Sequence, residues 1–331
     1  MALEWWIFFG SLLVAFILSL TAGHFLIPVL RRIKMGQKIL DIGPRWHKNK
    51  EGTPTMGGIM FILAALVSSL GFALPFAMET GNWTILVIWG MMLLYAGIGF
   101  IDDYVKFVKK QNKGLTAMQK MVLQFAVAAA FLFALHTVSP DFADTAIRIP
   151  FTELYLELGA AYYIFALFFI VFIVNSVNIT DGIDGLAGSV TFVVSIFFAI
   201  SAICLDGVYS FPIVAVYGSI AGALIGFLWY NLYPARVFMG DTGSLFLGGA
   251  VVAAAFWLGN PLIIVVGGLV YIIEALSVVI QVLCYKLTHK RVFKMAPIHH
   301  HFEKCGWKEN KIVIVFSTVT ALLCVLAWFG L

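Results

Sequence analysis

An all-α, polytopic membrane protein with about ten transmembrane helices is what three features of this 331-residue chain predict: its composition, its long apolar runs and the placement of its charges. Hydrophobic residues make up 62% of it and charged residues only 11%, against about 45–50% and about 25% in soluble domains. A helix needs roughly 20 apolar residues to cross a hydrocarbon core, so the apolar content allows about ten crossings and leaves little for a soluble domain. Backbone groups in lipid must be satisfied internally, and runs rich in Ala, Leu and Phe without period-2 alternation favour a helical bundle over a barrel. Four cysteines, Cys204, Cys284, Cys305 and Cys324, lie far apart with no CxxC pair, which argues against a disulfide framework or a structural zinc site.

The first apolar run, 5–30, has neither the basic leader nor the small-residue cleavage site of a secretory signal and reads as a retained membrane helix. Further runs follow at 57–76, 83–101, 121–138, 160–177, 186–205, 211–232, 244–258, 261–285 and 312–330. Gly259-Asn260-Pro261 supplies the turn between the eighth and ninth. The longest loop on the opposite face, 139–159, has room for a small hairpin. The whole chain, 1–331, reads as one integral-membrane domain with functional loops at about 31–56, 102–120, 178–185, 233–243 and 286–311.

Charge placement tests this layout. Alternating the loops puts 20 of the 21 basic residues and nine acids on one face, a net of +11; Arg148 and seven acids lie on the other, a net of −6. By the positive-inside rule the basic face is cytoplasmic and both termini point outward. Glu274 alone lies well inside a span.

Five groups of polar residues share the basic face. Asp102-Asp103 ends the third run; on a helix, neighbours point about 100° apart, so the two carboxylates are expected to serve different partners rather than clamp one ion. An interface ion network is the competing explanation. Asn175, Asn178, Asp181 and Asp184 lie in NSVNITDGIDGL, where a spacing of three lines up side-chain oxygens for a hard cation or sugar hydroxyls; a plain Asn/Asp/Gly turn is the alternative. Asn231 precedes FMGDTG, in which Asp241 suits a helix cap or a metal and Phe238 suits a flat ring or the membrane interface. In PIHHHFE, the consecutive His299, His300 and His301 suit hydrogen bonding to phosphate better than Mg²⁺, which prefers oxygen. The segment 48–58, with Lys50 and Thr55, offers cations, hydroxyls and flexible backbone but no P-loop pattern, and no GxGxxG fingerprint occurs. Attraction to anionic lipid accounts for many lysines without a site. Together the five groups suit a metal-assisted reaction of phosphates between a soluble and a lipid-embedded substrate.

GTPTMGG at 52–58, GFIDDYVK at 99–106, NITDGIDGLAG at 178–188, FMGDTGSL at 238–245 and APIHHHFEKCGW at 296–307 resemble the phospho-N-acetylmuramoyl-pentapeptide transferases, or translocase I, of the polyprenyl-phosphate N-acetylhexosamine-1-phosphate transferase superfamily. The resemblance runs through every inner loop and implies a bacterial cytoplasmic-membrane enzyme. Its substrates would be UDP-MurNAc-pentapeptide and undecaprenyl phosphate, its products lipid I and UMP, and its cofactor Mg²⁺. It implies a catalytic set of Asp102, Asp103, Asp181, Asp184, Asp241, His299, His300 and His301, with Asp241 and Asp181 as metal ligands. Lys50, Thr55, Lys106, Asn175, Asn178, Asn231, Phe238 and Gly240 would bind substrate, Phe238 stacking on uracil. A homodimer is implied by family alone, the bilayer is the solvent, and no nucleic-acid partner is expected. Direct attack by the lipid phosphate and a phospho-aspartyl intermediate are both open. A sister transferase using UDP-N-acetylglucosamine is the nearest alternative. A multi-span transporter is more remote, since transporters place ionisable groups and broken helices near the midplane.

Overall fold

The computed structural model describes residues 2–33, 50–109, 111, 113–138, 145–204 and 210–331. The expectations placed on Lys34, Lys38, Arg45, Lys48, Lys110, Asp141, Asp144 and Asp206 fall outside the described residues.

Most of the ten apolar runs fold as single helices: α1 (Ala2–Arg32), α2 (Gly58–Thr80), α3 (Thr84–Val108), α4 (Ala117–Val138), α5 (Ala161–Thr180), α6 (Leu186–Cys204), α7 (Phe211–Asn231) and α8 (Gly240–Trp257). The ninth run is divided into α9 (Ile263–Gly267) and α10 (Leu269–Thr288), and the tenth forms α12 (Glu309–Trp328). Among the described residues, nine helices are long and apolar enough to cross a membrane. The eighth run lies in α8, where Asp241 and four glycines dilute the apolar content. That helix is enclosed by its neighbours, every residue from Thr242 to Phe256 being buried. Lipid tails are as apolar as leucine, so helices associate in membranes through close packing of small residues. The Gly- and Ala-rich α7 and α8 accordingly take the interior, α7 against α1, α2 and α6, and α8 against α3 and α5.

Two local features differ from the sequence expectation. The ninth run is one continuous apolar stretch by hydropathy, yet the helix breaks at Gly267-Gly268. Paired small residues are a recognised cause of helix kinks, and a methyl on Gly268 would stand 2.9 Å from the Ile264 carbonyl oxygen. The histidine run, expected in a loop, forms a short helix, α11 (Ile298–Lys304), behind Pro297. Proline suits a helix start because the N–H it lacks would have no intrahelical partner there.

The 139–159 loop does hold a hairpin: β1 (Ala146–Arg148) pairs antiparallel with β2 (Tyr155–Glu157), with Ile147 opposite Leu156. Arg148 Nη1 donates to the Leu331 backbone oxygen, which ties the hairpin to the end of the chain.

Candidate active site

The last two turns of α3 carry Asp102, Asp103 and Lys106, and both carboxylates are buried. Asp103 Oδ2 accepts hydrogen bonds from the Thr242 backbone N–H at 2.9 Å and the Thr242 hydroxyl at 2.8 Å. It thereby caps the start of α8 from another helix, satisfying one of the N–H groups that a helix N-terminus leaves open and placing negative charge at the positive end of its dipole. Asp102 Oδ1 accepts from the Leu115 N–H at 2.8 Å, and its Oδ2 lies 2.6 Å from Lys106 Nζ. The two neighbours thus bond different partners, as helical geometry requires. With Asp241 they nonetheless form a group that could hold one ion, because one oxygen from each of the three carboxylates lies within 4.8 Å of the others. The third carboxylate comes from α8 and closes a group that helix geometry within α3 could not reveal.

Asp241 is the hub. Its Oδ1 accepts from Asn178 Nδ2 at 2.8 Å, and its Oδ2 faces Lys106 at 2.7 Å and Lys120 at 3.2 Å. Asn178 also donates to Ser244 Oγ at 2.7 Å, which fixes its orientation. The α3–α8 contact is unusually close: a methyl on Gly99 would lie 2.1 Å from the Asp241 carbonyl oxygen. Gly240 has φ of +71°, and a side chain there would meet Asp103 Oδ2 and Thr55 Oγ1. The 54–58 segment is stitched to the chain entering α8 by three backbone bonds, Phe238 N to Pro54 O, Gly57 N to Phe238 O and Gly58 N to Met239 O. These place Thr55 and Gly240 beside Asp103, with half-buried Phe238 two residues before Gly240.

Asp181 follows α5 and stands outside the three-carboxylate group. Among the described residues, its side chain has no hydrogen-bond or cationic partner. Burial, then the carboxylates of Asp241, Asp103 and Asp184, push the Asp181 carboxyl well above its ordinary range. Asp184 is tied down. Its Oδ1 lies 2.8 Å from Lys50 Nζ, its Oδ2 accepts from Ala235 N at 2.9 Å, and its own N–H donates to Glu309 Oε2 at 3.0 Å. Glu309 Oε2 also lies 2.6 Å from Lys50 Nζ. Asn231 spends both ends of its amide on the same region, accepting from Gly185 N at 3.1 Å and donating to Val237 O at 2.8 Å. Asn175 is turned to a different task, since its Nδ2 donates to Gln124 Oε1 at 2.6 Å and pins α5 to α4.

On α11 the His299 and His300 rings pack edge to face with centroids 4.2 Å apart, yet each of the three imidazoles bonds a different partner. His299 Nδ1 lies 2.9 Å from Glu274 Oε2 and His300 Nδ1 lies 2.6 Å from Glu303 Oε2, whereas His301 Nδ1 accepts from the Lys294 N–H at 3.1 Å. Among the described residues, no histidine joins a metal-competent group.

Asp102, Asp103 and Asp241 are the residues suited to hold a cation. Their donors are all hard carboxylate oxygens, the set that Mg²⁺ prefers, and they already gather the Lys106 ammonium at 2.6, 3.6 and 2.7 Å. Sequence reasoning did not single out Lys120, Thr242, Ser244 or Glu309. An acid in the first turn of the last helix was the available signal for Glu309, and it reads equally as a helix-dipole complement.

Residues 85–259 match the family model for glycosyl transferase family 4, and residues 50–62 match signature 1 of the phospho-N-acetylmuramoyl-pentapeptide transferases. A protein of that name from Clostridium kluyveri is 45% identical over 97% of this chain and 98% of its own length. Another from Acetivibrio thermocellus is 46% identical over 96% and 94%, and one from Bacillus anthracis 44% identical over 95% and 94%. The chain belongs to the phospho-N-acetylmuramoyl-pentapeptide transferase family. As a member it is a transferase of peptidoglycan biosynthesis and a multi-pass protein of the bacterial inner membrane. The signature spans Lys50 and Thr55, and the glycosyl transferase match runs from the start of α3 through α8; together they enclose the carboxylates and both lysines.

Proposed function

We propose that the protein moves phospho-MurNAc-pentapeptide from its UDP conjugate to undecaprenyl phosphate, forming lipid I and releasing UMP. The observation that carries this reading is the meeting of Asp102, Asp103 and Asp241 with Lys106 and Lys120 at the end of the bundle where the loop carrying Lys50 also arrives. In the reaction a lipid phosphate oxygen bonds to the β-phosphorus, the bridging P–O bond to the α-phosphate breaks, and UMP leaves with the electron pair. Such a transfer depends on positioning and charge stabilisation more than on covalent chemistry by the protein.

Lys106 and Lys120 supply positive charge where the diphosphate must lie. Asp103 and Asn178 hold α8 and the Asp241 carboxylate in place. Lys50, Asp184 and Asn231 shape the neighbouring loops around the nucleoside, and Phe238 offers its ring to the base. A Mg²⁺ held by Asp241 with Asp102 and Asp103 would neutralise charge on the diphosphate. Each of these carboxylates already faces N–H donors or ammonium groups, which dampens nucleophilicity and favours direct attack by the lipid phosphate over an aspartyl intermediate. The excess of basic residues in these loops supports a site on the cytoplasmic face with both termini outward.

The test is transfer of labelled donor to undecaprenyl phosphate in detergent, with and without Mg²⁺, using UDP-MurNAc-pentapeptide and UDP-N-acetylglucosamine in parallel. Lipid-linked product from the first donor, dependent on Mg²⁺, is expected. Preference for the smaller donor would transfer the assignment to the sister activity. Asp241→Asn should abolish product while the protein keeps its melting temperature, and near-normal turnover would remove Asp241 from the centre of the site.

A further inference from the structure

Glu274 lies within α10, fully buried, and its Oε2 faces His299 Nδ1 at 2.9 Å. His299 is equally buried. Among the described residues, each member of the pair keeps one enclosed polar atom without a partner, Oε1 of Glu274 and Nε2 of His299. An ionisable residue inside a membrane span is expensive to keep unless it has a task. The geometry indicates the task. Nε2 is pressed against the α5–α6 connection, so closely that a methyl on Gly182 would lie 2.2 Å from it. Gly182 sits between Asp181 and Asp184, the acids of that connection.

We propose that Glu274 is a positioning residue: its carboxylate holds the His299 ring, with the hydrogen on Nδ1 and Nε2 turned to Gly182, so that α11 and the Asp181–Asp184 loop keep one relative placement. The hydrogen bond at one ring nitrogen decides which tautomer the other nitrogen presents, and a side chain held by a buried carboxylate has no second rotamer to adopt. The proposal rests on the reading that these loops frame the transfer site. Gly182 fits the same picture, because any side chain there would displace the ring that Glu274 secures.

The experiment is steady-state transfer by the full-length protein in detergent, with kcat and KM for the nucleotide sugar measured separately and folding followed by melting temperature. Glu274→Leu should lower kcat by about 10- to 100-fold, the range seen when the partner that orients a histidine is removed or a reacting group shifts by about an ångström, with KM changed far less. Glu274→Gln keeps an oxygen that can accept from Nδ1–H and should stay within about fivefold of the wild type. In a His299→Ala background, Glu274→Leu should have no additional effect on kcat, since a residue acting through another is silent once that other is gone. Should Glu274→Leu fail to fold, Glu274→Asp replaces it: it keeps the charge, withdraws the carboxylate and should again lower kcat. Unchanged kcat in Glu274→Leu or Glu274→Asp, a Gln variant as impaired as Leu, or additive losses in the double variant would each overturn the proposal. Failure of the wild type to make lipid-linked product would instead overturn the functional reading, which keeps the two failures separate.

Discussion

Gly99 is where the helix carrying Asp102 and Asp103 touches the backbone of Asp241, so Gly99→Ala tests how tightly catalysis depends on that contact. The added methyl would sit 2.1 Å from the Asp241 carbonyl oxygen and 2.5 Å from Thr242 N, both backbone atoms that cannot swing aside. Reaching an ordinary 3.4 Å contact means opening the α3–α8 gap by about 1.3 Å. Asp103 and Lys106 reach across that gap to Thr242 and Asp241 at 2.7 to 2.9 Å, and a shift of that size breaks those contacts. Misplacement of reacting groups by about 1 Å is worth on the order of 10²-fold in rate, and overpacking a core costs about 1–3 kcal/mol. Gly99→Ala is therefore expected to lower kcat on the order of 100-fold with a modest fall in melting temperature. Gly97, two residues away on the same helix, has open space where a methyl would go. Gly97→Ala should leave kcat unchanged and is the matched control. The assay is release of UMP from purified protein at saturating substrates. A Gly99→Ala enzyme within threefold of wild-type kcat would refute the idea that the α3–α8 distance sets the carboxylate geometry.

Two further outcomes follow from the site. Glu309→Ala removes the acceptor for both Lys50 and the Asp184 N–H; leaving a buried donor unsatisfied costs about 1–3 kcal/mol, so KM for the nucleotide sugar should rise on the order of tenfold while kcat stays within about threefold. Equal losses in both constants would place Glu309 in the chemical step. For Asp181 the sign runs against high pH: its raised value means the native state holds a proton that the unfolded chain gives up near pH 4, so stability falls as pH climbs from there through the native value. Asp181→Asn cannot suffer that loss. Without divalent cation or substrate it should melt higher than the wild type at pH 8, with the difference closing toward pH 4 and transfer activity reduced; matching melting curves at pH 8 would refute this.

The bundle was legible because hydropathy and charge placement are written residue by residue: every apolar run became helix, and the five loop groups meet at one end. What stayed hidden depended on contacts between distant segments. Lys120 looks like any loop lysine until α4 packs beside α3, and Glu309 like any helix-start acid until it reaches Lys50. Asn175 sits one turn from Asn178 with the same chemistry, yet only the position of Gln124 on α4 reveals that its amide joins helices. The break at Gly267-Gly268 escaped because hydropathy counts apolar residues and ignores the backbone they leave unsupported. For the three histidines, composition announced a site, but only the turn of α11 shows that each bonds a different partner.

The enclosure of α8 bears on how the protein meets membranes of different thickness. Bilayers that thin or thicken are matched chiefly by tilting of the helices in contact with lipid. Here those are helices such as α1, whose most apolar 18-residue stretch is 22% buried, against 89% for that of α7. Asp241 rides on a helix with no lipid-facing side, capped by Asp103 and braced by Asn178. Bilayer strain therefore acts on Asp241 only through the helices packed on α8, chiefly α3 and α5, and the depth of that carboxylate is referenced to protein rather than to lipid.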